Sequence, residues 1–366
     1  MKVLIVNAIL YTSETGNIKK VKSIKDTMIY DLCLAFTEQG HEVTLFAADD
    51  YKPTENENYP FEIYWAKAKR QKLMPANVLP YCPDIKPLLR QRDFDLVITS
   101  EVFSLLSFMA VRHAKCKVIV WQELAKHNNI LHKLPSKFWY NIVARLFYSK
   151  ALIVARSENA KDFISHYCKN VSDTVIDHGV NLDKFTPCTD KENYFIIPSQ
   201  LIPRKQIDKS IRAFSEFAKD NDFSLYIFGE GEELENLRKY AETCGVGDKV
   251  KFFGKTPHDT LKDYLARAQA MLIYTRKDNN MISVVESIAC ATPIVTTSVP
   301  YNASYIRKYG LGIVNDNWGA EDLDHIVNDK KYAENCLSYR QSVSTQNKVD
   351  DFIAIKKTVF SVFFVI

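Results

Sequence analysis

The chain has 366 residues, 46% hydrophobic and 25% charged. That is the balance of a globular protein long enough for two domains, and it excludes a disordered or collagen-like chain. A net charge of +4, from 48 basic and 44 acidic side chains, is too even to imply a nucleic-acid partner. Eight scattered cysteines with no C-x-x-C pair and no Cys/His ligand spacing suggest neither a zinc site nor a disulfide framework and fit a reducing cytosol.

The apolar run after Met1 is brief and lacks a small-x-small cleavage site, so it reads as a first buried strand rather than a signal peptide. In the first half, runs of β-branched and aromatic residues predict strands at 2–8, 41–48, 95–100, 117–122, 151–156 and 173–177, with helical stretches between them. Asp93-Phe-Asp95 matches a D-x-D metal motif but sits at a strand start without companion ligands, so a helix-to-strand junction is the better reading. His127 and His132 have no spacing that serves a metal.

Residues 133–150 place Phe138, Trp139, Ile142, Val143, Leu146 and Phe147 at helical spacing, surrounded by His132, Lys133, Lys137, Arg145 and Lys150. Lys19, Lys20, Lys22 and Lys25 form a second basic cluster. Any helix covering a sheet needs an apolar stripe, so an anionic membrane surface as a partner of 133–150 rests on the charges. No stretch reaches the roughly 18 to 20 apolar residues of a membrane span, although the tail 359–366 is almost wholly apolar. The expectation is a cytoplasmic protein, peripheral at most on the inner face of a membrane.

Residues 177–193 run through Gly179, Asn181, Asp183 and Pro187 without a clear period, as a linker would. A second alternation follows, with strands predicted at 194–198, 224–228, 249–253, 270–275, 293–297 and 311–314. Strands alternating with helices argue for two α/β units with parallel sheets. The expected division is 1–180, 190–345, and 346–366 for a helix packing back on the first unit. Such sheets bind ligands beyond the carboxyl ends of their strands, and two facing units would add a cleft there.

The window 278–293 is the most informative. Glu286 is the only charged residue between Asp278 and Arg307, in a segment otherwise suited to burial. A buried carboxylate needs donors. With a helix starting near Met281, Glu286 lies about one turn in and leans back toward the amino end, where free N–H groups and the dipole suit a diphosphate. An acceptor-only carboxylate there would take both hydroxyls of a ribose, with Asp278 overhanging the same spot. Alternatively, Glu286 forms a structural ion pair and Asp278 is a solvated loop acid.

Lys205 follows the first strand of this half and would reach a ligand's phosphates in place of a metal ion, or simply snorkel at the surface. Phe228-Gly229-Glu230-Gly231 ends a strand before a helix, a weak G-x-G signal that a tight turn also explains. Gly254 and Lys255 end the next strand, where backbone groups would read a nucleobase edge or merely form a strand exit.

Taken in order, these windows and the linker's Gly179-Val-Asn-Leu-Asp-Lys-Phe185-Thr-Pro187 resemble the retaining GT-B glycosyltransferases of family four. The resemblance implies a GT-B fold, two Rossmann-like domains across a cleft, with 1–180 binding the acceptor and 190–345 the nucleotide-sugar. It also implies transfer of a sugar from a nucleotide-sugar, a co-substrate, to a glycan or lipid-linked acceptor with retention, as in surface polysaccharide or glycoconjugate synthesis. It carries ribose binding to Glu286, donor-sugar contact to Asp278, diphosphate binding to the amides of Asn280, Met281, Ile282 and Ser283, and leaving-group stabilisation to Lys205. No metal and no other cofactor is expected.

This sequence departs from the pattern in several places. The usual first Glu is Asp278, the Gly-Phe-Gly after it is Asn279-Asn280-Met281, and the Arg before the Lys is Gln200. The amino-domain histidine is replaced by Gln122, and the glycine pair of the acceptor or phosphate loop is reduced to Gly16. These changes keep open a non-catalytic sugar-nucleotide or glycan-binding protein of the same fold. A dinucleotide-dependent oxidoreductase lacks its G-x-G-x-x-G after the first strand.

Overall fold

The computed structural model describes residues 1–11, 18, 20–72, 74, 77 and 79–362. Gly16, Lys19 and the last four residues of the apolar tail lie outside them. The chain divides into two units, Met1–Asp177 with Lys348–Ile366, and His178–Asn347.

In the first unit, β1 (Lys2–Val6), β2 (Glu42–Ala48), β3 (Glu62–Ala66), β4 (Leu96–Ser100), β5 (Lys117–Gln122) and β6 (Ala151–Ala155) form a parallel sheet in the order β3-β2-β1-β4-β5-β6. Its central strands are apolar at consecutive positions because helices cover both faces, as Val3 to Val6 and Ala151 to Ala155 show. Strand β3 is absent from the sequence-based strands. It is the sheet edge and only half-buried, so neither a solid apolar run nor a clean alternation marks it.

Residues 173–177, expected as a strand, do not form one. Ser172 Oγ accepts the Thr174 N–H at 3.1 Å, a local turn that replaces pairing, and only Val171 bridges to Ile153. The following Ile176 is instead fastened by its N–H to Ala155 O (2.9 Å) and by its carbonyl, which accepts from the Trp121 indole (2.6 Å). The helix Thr345–Val362 contributes Phe352 to this unit, its ring edge-on to Trp121 at 5.4 Å, and Lys348 pairs with Asp177 at 2.6 Å.

In the second unit, β7 (Glu192–Pro198), β8 (Ser224–Phe228), β9 (Val250–Gly254), β10 (Ala268–Leu272), β11 (Ile294–Thr296) and β12 (Gly312–Val314) pair in parallel in the order β12-β11-β10-β7-β8-β9. Counted within each unit, both sheets have the doubly wound order 3-2-1-4-5-6. The period of two along β7 separates two cores. Phe195 and Ile197 pack with Ile211 and Phe214 of helix Ile207–Phe217. Tyr194 and Ile196 pack with Val284, Val285 and Ile288 of helix Ile282–Ala289. The strand thereby locks both helices, and their entry loops, to one edge of the sheet.

Candidate functional site

The loops after β7, β8, β9 and β10 leave the same edge of the second sheet and are laced together by their backbones. Ser199 N–H donates to Phe228 O (2.9 Å), Leu201 N–H to Glu230 O (3.0 Å) and Gly229 N–H to Gly254 O (2.9 Å). This close approach explains both glycines of the G-x-G. A Cβ at Gly229 would lie 2.0 Å from Ser199 O, and one at Gly231 would lie 2.1 Å from Leu201 O. The glycines thus serve the chain's own packing, and Gly254 adopts φ +67° at the next strand exit. Gln200 and Lys255 are exposed on these loops.

Pro203–Lys205 form one tight turn, and Gln206 in the left-handed region (φ 44°) redirects the chain into helix Ile207–Phe217. The turn aims two cations at one carboxylate. Arg204 Nη1 meets Asp278 Oδ1 at 2.6 Å, and Lys205 Nζ meets Asp278 Oδ2 at 2.9 Å. Thr275 also donates to Asp278 Oδ2. Asp278 is therefore not a solvated loop acid but a largely buried hub, and the cluster has two positive charges against one negative. Lys205 is correspondingly no free surface lysine.

Asp278 begins the loop that enters helix Ile282–Ala289. The buried Asn302 pins this loop, its Oδ1 accepting the Met281 N–H at 2.7 Å and its amide donating to Asn280 Oδ1 at 2.7 Å. Met281 at the N-cap position gives the helix no side-chain cap; Val284 N–H donates to Met281 O at 3.1 Å, which leaves the N–H groups of Ile282 and Ser283 uncapped at the positive end of the dipole. Ser199, Lys205, Met281 and Ser283 line one cavity of about 10 Å³, which brings the lysine and the helix start to the same place. The exposed Ile282 stands beside it.

Glu286 lies one turn into that helix, largely buried. Its Oε1 meets His258 Nε2 at 2.9 Å, and no protein group among the described residues occupies Oε2. The expected alternatives thus mix: one oxygen is paired with a histidine and the other is available. Sequence reasoning missed Arg204, adjacent to Lys205, and His258, the residue after Thr256-Pro257. Nothing in a local pattern marks either, because their partners lie 74 and 28 residues away.

Gln122 ends β5 in the first unit. It is completely buried, with Oε1 accepting the Val102 N–H (2.9 Å) and Nε2 donating to Leu124 O (2.9 Å) and Tyr140 OH (3.3 Å), so it braces the loops rather than lining them. Glu101 and Glu123 lie close by, on the loops after β4 and β5. Glu101, with φ +68°, accepts the N–H groups of Glu123 (2.8 Å) and Leu124 (3.3 Å). Burial, with help from the Glu123 carboxylate, pushes the Glu101 carboxyl up to about 7, against the pull of Arg156. Arg156 pairs with Glu123 at 2.9 Å and lies over the Trp121 ring, 3.7 Å from its centre.

Two known families match this chain, that described as Glycosyl transferases group 1 over residues 181–342 and that described as Glycosyltransferase Family 4 over residues 26–184. The alpha-monoglucosyldiacylglycerol synthase of Streptococcus pneumoniae is 24% identical over 330 residues, 81% of this chain and 72% of that protein. Among solved structures, the sucrose-phosphate synthase of Thermosynechococcus elongatus superposes with a TM-score of 0.69 at 16% identity, covering 99% of both chains. Anabaena HepE in complex with UDP superposes at 0.68 and 13% identity, covering 98% of this chain and 100% of that one. With two six-stranded parallel sheets of one strand order, the fold is GT-B.

Proposed function

The chain belongs to the group 1 glycosyltransferases, and from that membership we propose that it moves a hexosyl unit from a nucleoside diphosphate sugar to a glycan or lipid-linked acceptor with retention at the anomeric carbon. One observation carries the reading: Lys205 and Arg204 converge with the uncapped start of helix Ile282–Ala289, one turn before Glu286. HepE's complex with UDP and the glycolipid named for the streptococcal relative support a nucleotide-sugar donor and a lipid-linked acceptor.

In this reading the amides of Asn280, Ile282 and Ser283 and the helix dipole hold the diphosphate, while the Met281 N–H stays with Asn302 and fixes the loop. Glu286 Oε2 accepts from the ribose hydroxyls while His258 orients the carboxylate through Oε1. As the bond from the anomeric carbon to the phosphate oxygen breaks, the diphosphate takes up charge. Lys205 and Arg204 neutralise it, which makes a metal ion unnecessary. For Asp278 to reach the donor sugar, as the resemblance implies, the two cations must turn from its oxygens toward the phosphates. The acceptor oxygen bonds to the anomeric carbon on the face the diphosphate leaves, and its proton passes to the departing phosphate oxygen. Gln200 and Lys255, exposed on the neighbouring loops, edge the donor. We place the enzyme on the cytoplasmic face of a membrane, as a peripheral protein serving glycolipid or polysaccharide synthesis.

The test is a thermal-shift panel of nucleotide-sugars, followed by turnover with the stabilising donor and NMR of the product's anomeric centre. Retention is expected, with Glu286→Ala folding normally while losing nearly all turnover. An inverted product, or full activity of Glu286→Ala at saturating donor, overturns the reading. Stabilisation without hydrolysis or transfer assigns the chain to binding instead.

A further inference from the structure

The helical segment following Leu131 in the first unit has two apolar faces, and the fold uses only one. Tyr140 and Ala144 are buried, Trp139 Nε1 donates to Val102 O at 2.7 Å, and Trp139, Val143 and Phe147 pack on the core. Those contacts supply the stripe a covering helix needs. The opposite face carries Leu134, Phe138, Ile142 and Leu146, preceded by Leu131, exposed by 68, 59, 44, 66 and 72% respectively. Among the described residues, Leu131, Leu134, Leu146 and Phe138 are the four most exposed large apolar side chains.

The backbone arranges this row. Steps of four residues along an α-helix drift by about 40° each. The wide π turn Trp139–Ala144 takes in an extra residue and offsets the drift, keeping Phe138, Ile142 and Leu146 in line. Leu131, His132 and Lys133 all have positive φ, a bend that sets Leu131 ahead of the helix. The row runs about 18 Å from Leu134 to Leu146. It stands on a convex helix rather than in a groove.

Charge identifies what covers it. From Leu124 to Ser157 there is no Asp or Glu, while Lys126, Lys133, Lys137, Arg145, Lys150 and Arg156 fall in that stretch. All of these cations but Arg156 are exposed. Among the described residues, no helix is long and apolar enough to cross a membrane. We infer that Leu131, Leu134, Phe138, Ile142 and Leu146 insert into the interfacial layer of an anionic bilayer, with Lys126, Lys133, Lys137 and Lys150 meeting its headgroups. The inference deepens the peripheral placement proposed above and rests on it for purpose, but none of its residues belongs to the donor site.

The experiment is sedimentation of the full chain with vesicles of phosphatidylcholine plus phosphatidylglycerol, against phosphatidylcholine alone. Binding is expected to the anionic vesicles and to weaken with salt. It is expected to fall roughly tenfold for each side chain removed in Leu134→Ser, Phe138→Ser and Leu146→Ser. Because these side chains are exposed, the variants keep the parent's melting temperature and its turnover of a nucleotide-sugar in vesicle-free buffer. Charge reversal at Lys133 and Lys137 is a second variant that leaves the apolar row intact and is expected to abolish the preference for anionic vesicles. Equal sedimentation of parent and serine variants overturns the inference. So does a concentration-dependent dimer that the serine changes dissolve, which would assign the row to a second copy. Vesicle binding without turnover would leave this inference standing and sink the enzymatic reading alone.

Discussion

The two sheets share a strand order, yet the charged clusters on the loops at their carboxyl ends are built differently. In the second unit Arg204 and Lys205 outnumber Asp278 beside an uncapped helix start. In the first, Glu101 and Glu123 outnumber Arg156, and Gln122 stands buried beneath them. Topology therefore supplies a place where loops converge, and the side chains decide whether that place attracts an anion or repels one. The Arg204–Lys205 cluster suits an anion, and the Glu101–Glu123 cluster does not.

The sharpest way to break this contrast is Lys205→Ala. Turnover at saturating donor is expected to fall roughly 10²- to 10³-fold, the scale for losing one donor to a developing anion. An unchanged kcat would mean that the cationic cluster is structural, like its counterpart around Arg156. A smaller effect is expected from Gly231→Ala, because the new Cβ would meet Leu201 O at 2.1 Å. Stability of the second unit should drop by about 1 to 3 kcal/mol in a denaturant titration. No loss would show that the loops after β7 and β8 can separate cheaply.

The gentlest test lies in the Glu101–Glu123 cluster. The Glu101 carboxyl is raised from 4.5 to about 7, so the folded state holds a proton that the unfolded chain releases sooner. Its contribution to stability is fully present below 4.5 and is lost as pH rises through about 7. Glu101→Gln should flatten the pH dependence of the melting temperature across that window. An identical slope in the variant would remove Glu101 from the account.

Much of this was legible in the sequence for definite reasons. Central strands such as β1 and β7 announce themselves because burial on both faces demands consecutive apolar residues. The half-buried edge strand β3 does not, and 173–177 mimics a strand with residues that a Ser172 turn claims instead. Glu286 is conspicuous because a lone carboxylate in an apolar window needs an explanation. Its partner His258 and the pairing of Arg204 with Asp278 arise only when separate loops meet at the sheet edge. The apolar content of 133–150 is plain as letters, but the direction of each side chain is not.

The sequence by itself determined the alternation of strands and helices, the glycines at loop crossings and the stock of charges at the helix start, since these depend on neighbours a few residues apart. Only the tertiary structure decided which cations neutralise Asp278, that Gln122 is sealed inside, and that one of two apolar helix faces is left outward. Pairing and exposure depend on elements brought together from distant parts of the chain, and local periodicity carries no record of them.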